Sequence, residues 1–138
     1  MLPKTHLILG IIITLLIKLI FPQISWWYIP VIILANILID FDHFMVAVIR
    51  NKGDCSLKKA YEYHDGRPTK YKYDFHLFHT IEFHLLVFIS SILNPIFFYI
   101  FLGMLIHSIC DFIPLAYTHR INEREYFFIK WYKNVKKI

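Results

Sequence analysis

Cysteine is nearly absent from this chain of 138 residues: it has only Cys55 and Cys110, and they form no C-x-x-C pair. Cys110 lies in an apolar run and Cys55 in a basic stretch, so the sequence offers neither a disulfide framework nor thiolate ligation. Glycine is also scarce, at four residues, and alanine is as rare. No small-x-small cleavage site follows the first apolar run; Pro22-Gln23 leads directly into aromatic residues. That run therefore reads as a retained helix and not as a signal peptide. Lysine and arginine are missing from two connections, residues 22–25 and the Asn94-Pro95 turn. Those two connections are accordingly expected on the side of the membrane away from the cytoplasm.

What is present points to a membrane protein. Hydrophobic residues make up 57% of the chain, with Phe and Tyr abundant. Four apolar stretches can be read: residues 7–21, 26–49, 75–93 and 96–117. The cluster Trp26-Trp27-Tyr28 suits a membrane–water interface, where an amphipathic ring has one wet side. Between the second and third stretches lies a polar region, residues 50–74, with Gly53, Gly66 and Pro68 as breakers. The tail from residue 118 is basic and aromatic, and its segment 126–133 reads as an interfacial anchor. The expected fold class is all-α: an integral membrane four-helix bundle forming one domain over residues 1–138, with a polar cytoplasmic loop between the second and third helices.

The net charge of +5 is concentrated in the polar region, the tail and Lys4. There it meets anionic headgroups and serves no nucleic acid. The positive-inside rule places both termini and the central loop in the cytoplasm, giving a multi-pass protein of the cell membrane.

Within or at the inner mouth of these apolar stretches stand His6, Asp40, Asp42, His43, His76, His79, Glu82, His84, His107 and Asp111. An ionisable group in hydrocarbon is costly unless paired, coordinated or hydrated. With the second and fourth stretches running inward and the third running outward, all ten reach one layer. At about 1.5 Å per residue, Asp42 and Asp111 lie roughly 10 Å from the inner ends of their helices. Imidazole and carboxylate are the ligands that zinc and similar divalent ions prefer. His107 and Asp111 share a helical face at i,i+4, as do Asp40 and His43 at i,i+3. Asp42 points away from Asp40 on a regular helix, so both reach one centre only if the backbone bends or two metals bind. His79 and His84, five apart, suit two neighbouring ions or a helix that begins between them.

These residues resemble a family, the YdjM-type (DUF457) membrane-bound metal-dependent hydrolases. Its early histidine is matched by His6 and its D-x-D-H by Asp40-Phe41-Asp42-His43. The two histidines of H-R-G-x-T-H-S are matched by His79 and His84, and G-x-x-x-H-x-x-x-D by Gly103, His107 and Asp111. The chain departs from that pattern at Thr80 (Arg in the family), Ile81 (Gly), Phe83 (Thr) and Leu85 (Ser). The basic loop offers Arg67 and Lys70 as replacement contacts to an anionic substrate. The family is similar in turn to zinc-dependent phospholipase C and P1-type nucleases, which implies phosphoester hydrolysis.

On this reading His6, Asp40, Asp42, His43, His79, His84, His107 and Asp111 hold divalent ions, expected to be two zinc ions. Asp42 and Glu82 are the candidate general bases. The substrate is a phospholipid or lipid phosphate at the cytoplasmic leaflet. Two other classes are weighed. A metal-binding or transport protein also places His and Asp within helices, but here the ligands lie on the inner side alone. A haem protein ligated by His84 and His107 has no use for the surplus carboxylates.

Overall fold

The computed structural model describes residues 3–65, 75–119 and 126–135, and among these every regular element is helical. Helix α1, Pro3–Ile20, starts on a proline, whose missing N–H costs nothing in a first turn, and stops at Phe21 before Pro22. Lys18, inside the apolar run, reaches forward to the carbonyls of Pro22 and Ile24 and lies 5.1 Å from the Trp26 ring. Its ammonium thereby caps the turn that sends the chain back along α1.

The second apolar stretch is two helices, α2 (Tyr28–Leu38) and α3 (Phe41–Arg50), separated at Ile39 and Asp40. Both linking residues keep right-handed helical angles, with ψ drifting to −3° at Asp40. The interruption is thus a local bend in a nearly continuous rod. The polar region expected as a loop contains α4, Leu57–Asp65. Asp54 starts it by accepting the Ser56 N–H at 2.9 Å and pairing with Lys59, whose hydrogen bond holds the Asp54 carboxyl below the usual carboxylate range.

The third apolar stretch differs most from expectation. A 3₁₀ turn, Leu77–His79, precedes α5, which covers only Ile81–Ser90. Thr80 is extended (φ −79°, ψ 147°) and its Oγ1 accepts the Phe83 N–H at 3.3 Å, so it is the N-cap that fixes where the helix begins. Ten residues rise about 15 Å, half of a hydrocarbon core of about 30 Å. Helix α6, Ile96–Tyr117, is the longest at 22 residues and is entered through Asn94, whose Oδ1 accepts the Ile96 N–H. Helix α7, Phe128–Val135, lies against the start of α5: Ile81 N–H donates to the Tyr126 carbonyl, and Phe75 stacks on Trp131 at 4.3 Å.

Helices α2 and α6 pack in parallel, in steps of four residues. Tyr28 stacks on Tyr99 at 3.8 Å, Ile32 meets Gly103, and the Asn36 carbonyl meets His107. A Cβ at Gly103 would lie 2.3 Å from the Ile32 carbonyl oxygen, so only glycine allows this approach. Helix α1 runs antiparallel to α2, and Asn36 Nδ2 donates to the His6 carbonyl at 2.8 Å. One apolar cluster centres on Ile32, Ile106 and Cys110, another on Ile39, Val87 and Met104.

Two segments, Tyr28–Arg50 and Ile96–Tyr117, are long and apolar enough to cross a membrane, and only a third of each is buried against protein. Along α1, the apolar side chains of Ile8, Leu16, Leu19 and Ile20 are likewise exposed.

Candidate metal centre

The packing brings four regions to one level: the start of α1, the α2–α3 junction with the first turn of α3, the 3₁₀ turn with His76 before it, and the second half of α6. Eight of the ten polar residues meet there. Three sets of side chains have ligand atoms within 4.8 Å of one another: His6, His107 and Asp111; Asp40, His43 and His79; and Asp42, His43 and His76. His43 belongs to two of them. The first set is almost wholly buried, with His107 and His6 at 0% and 1% exposure.

Hydrogen bonding orients the rings at the middle of the cluster and places a proton on each Nδ1. His107 Nδ1 lies 2.7 Å from the Asn36 carbonyl, which can only accept, so this nitrogen carries the proton. His79 Nδ1 lies 3.2 Å from Asp42 Oδ2, and it too acts as donor. The Nε2 atoms of the two rings face each other at 3.3 Å, and with both rings neutral each bears a lone pair. Asp40 Oδ1 closes the triangle, 3.4 Å from His107 Nε2 and 3.7 Å from His79 Nε2. In that state three electron-rich atoms converge, and they repel unless a proton or a metal ion lies among them. A tetrahedral ion with bonds of about 2.1 Å has ligand–ligand edges of about 3.4 Å, close to the three observed separations.

The flank toward α1 shows the same character. His6 Nε2 approaches Asp111 Oδ1 at 3.0 Å without the alignment of a hydrogen bond, and His6 Nδ1 is buried with no hydrogen-bond partner. The His6 ring stacks on His107 at 3.9 Å, and Asp111 Oδ2 lies 3.6 Å from His107 Nε2. Atoms that converge closely but do not bond to one another fit a shared ion better than a hydrogen-bonded core. The residues present fit a bound divalent metal.

Supporting contacts orient these ligands. Asp42 Oδ2 takes the Phe78 N–H at 2.9 Å as well as His79 Nδ1, the carboxylate–histidine arrangement that fixes a ring for ligation. Asp42 Oδ1 is buried, accepts no hydrogen bond, and lies 3.8 Å from His76 Nδ1. The two aspartates face different sets, so no single centre requires both of them.

Two expected site residues are not brought to the cluster. His84 donates from Nδ1 to the Thr80 carbonyl at 2.9 Å and accepts at Nε2 from Ser108 at 3.1 Å, so both its nitrogens are engaged elsewhere. The helix starts between His79 and His84, and the two rings diverge. Glu82 accepts the Phe128 N–H at 3.1 Å, at the start of α7. Arg67 and Lys70, expected to bind substrate, lie outside the described residues.

Three contributors escaped the motif reading. His76, three residues before His79 and outside the matched motifs, joins Asp42 and His43 in one set. Asn36, fully buried, bridges all three long helices through its side chain and carbonyl. Its signal is a lone amide in an apolar run, one turn before Asp40. Gly10 admits that amide, since a Cβ there would lie 2.2 Å from Asn36 Nδ2. In comparisons with protein-family models, curated proteins and solved structures, nothing matched this chain.

Proposed function

We propose that the protein is a membrane-embedded, metal-dependent hydrolase of phosphoesters carried by lipids of the cytoplasmic leaflet. The observation that carries this reading is the convergence of His79 Nε2, His107 Nε2 and Asp40 Oδ1 within a buried His/Asp cluster. The order of its motifs, like that of the YdjM-type hydrolases, supports the reaction class. The basic loop and tail, with both termini on the cytoplasmic side, support the leaflet. The exposed apolar surfaces of α1, α2 and α6 support a bundle that meets lipid on its outside.

Zinc is the expected metal from its imidazole and carboxylate ligands, and a bound ion there acidifies water and polarises a phosphoryl oxygen. His6, His107, Asp111, Asp40, His43 and His79 hold the ions in this reading, with His76 and Asp42 at the edge. In the hydrolysis the water oxygen bonds to phosphorus, and the P–O ester bond breaks. One water proton passes to a carboxylate, and the ester oxygen leaves as an alcohol on taking up a proton. Asp42 is the candidate acceptor, because its Oδ1 accepts no hydrogen bond. The engagement of Glu82 at the start of α7 weighs against its use as the base.

Protein reconstituted with zinc in phospholipid vesicles should release a phosphorylated headgroup, a diacylglycerol or inorganic phosphate from one member of a panel of phospholipids and lipid phosphates. No product from any of them would overturn hydrolysis. One observation favours a second reading, metal binding or transport without turnover. Where the similar hydrolases carry arginine, Thr80 is buried and serves as a helix cap.

A further inference from the structure

An apolar groove of about 320 Å³ runs along the outside of α2, walled by the 3₁₀ turn, the start of α5 and the middle of α6. Val31, Leu34, Leu38 and Ile39 form one side, and Phe78 and Met104 close the other. Leu34 and Leu38 are more than half exposed, so the groove is open along its length. From Val31 to Leu38 it extends about 10 Å at the helical rise.

Its inner end is lined by residues that adjoin the polar cluster along the chain. Ile39 is the neighbour of Asp40. Phe78 precedes His79, and its N–H is bonded to Asp42. Met104 lies three residues before His107 on α6. A concave apolar channel whose inner end adjoins a candidate cation-binding centre fits a molecule with an apolar tail and an anionic head. A peptide fits poorly, because the lining offers nothing to satisfy backbone N–H and C=O groups.

We propose that this groove seats one acyl chain of the lipid substrate, so that the phosphoester of that lipid lies at the His/Asp centre. The inference rests on the hydrolase reading and narrows it to substrates with a long acyl chain.

The test uses the full chain, loaded with zinc, in phosphatidylcholine vesicles that carry a trace of phosphatidic acid with a diazirine in the middle of its acyl chain. After photolysis, labelled residues are mapped by mass spectrometry. Labelling should concentrate on Val31, Leu34 and Leu38 over Leu16 and Ile109, which are also about half exposed but lie outside the groove. Even labelling across these positions would overturn the proposal.

In parallel, Leu38→Trp narrows the groove from an exposed position, and Leu16→Trp serves as control. Leu38→Trp should lower the preference for long-chain over short-chain substrate by about tenfold, the scale of loss that follows a displaced substrate. Leu16→Trp should leave that preference unchanged. An unchanged preference in Leu38→Trp would also overturn the groove. If the wild-type protein hydrolyses nothing yet labels preferentially along the groove, the lipid seat stands and the hydrolase reading alone fails.

Discussion

His79 and His84 show how two equivalent-looking histidines part company. The spacing of five left open a helix beginning between them, and Thr80 makes that start by capping α5. His79 is thereby left on a tight turn facing Asp40 and His107, while His84 turns toward Ser108. His84→Ala should therefore leave metal content unchanged when the purified protein is assayed by elemental analysis. Asp42 bears two roles that one substitution separates. Asp42→Asn keeps an acceptor for the Phe78 N–H but removes the charge. Turnover on the responsive lipid should fall by about a hundredfold or more if it is the base. Retained metal with lost turnover identifies the base, whereas retained turnover removes Asp42 from that role. The ligand types were legible because ionisable groups stand out in an apolar run. Asn36 was less so, since its contribution depends on which helices flank it.

Glycine at position 103 is where one small residue sets the distance between two elements. Without a Cβ, α6 approaches α2 closely enough for His107 to reach the Asn36 carbonyl. Gly103→Ala places a methyl group 2.3 Å from the Ile32 carbonyl oxygen, and backbone must move. It should destabilise the protein by about 1–3 kcal/mol, as overpacking does, and lower metal content with it. Thermal unfolding in detergent, with and without added zinc, measures both effects. Thr80→Ala removes the cap of α5 and should cost about 1 kcal/mol, with a larger effect on metal because His79 precedes the cap. Helix type and the long apolar stretches could be read from composition and length. The bend at Ile39 and Asp40 could not, since both residues keep helical angles and no proline or glycine marks it. The short α5 was legible only as one option for the His79–His84 spacing, because Phe75, Leu77 and Phe78 also suit a continued helix and the Thr80 cap decides.

Among the described residues, a buried polar cluster sits beside two apolar clusters, and the outer faces of α1, α2, α5 and α6 are apolar. The largest exposed side chains on α1, α2, α5 and α6 are aliphatic and aromatic, while His6, His107, Asp42 and Asp111 are among the most buried residues. That inversion suits a chain whose solvent is lipid and whose interior holds charge. The proposed topology rests on the positive charge of the loop and tail. Cys55, exposed beside α4, should resist an impermeant thiol reagent applied to intact cells and react once the membrane is opened. Labelling from outside would reverse the orientation and move the centre to the other leaflet. The gathering of eight of the ten polar residues was legible in the sequence from helix direction and residue spacing, whereas the departure of His84 and Glu82 was not. Which residues share an ion was not, because that depends on the parallel register of α2 and α6. The central claim is that His79, His107 and Asp40 share a divalent cation, and elemental analysis of purified protein beside His79→Ala, His107→Ala and Asp40→Ala tests it most directly. The wild-type chain should carry at least one divalent ion, and each variant should lose it. A wild-type chain that stays metal-free after zinc loading, or variants that keep full occupancy, would contradict the account.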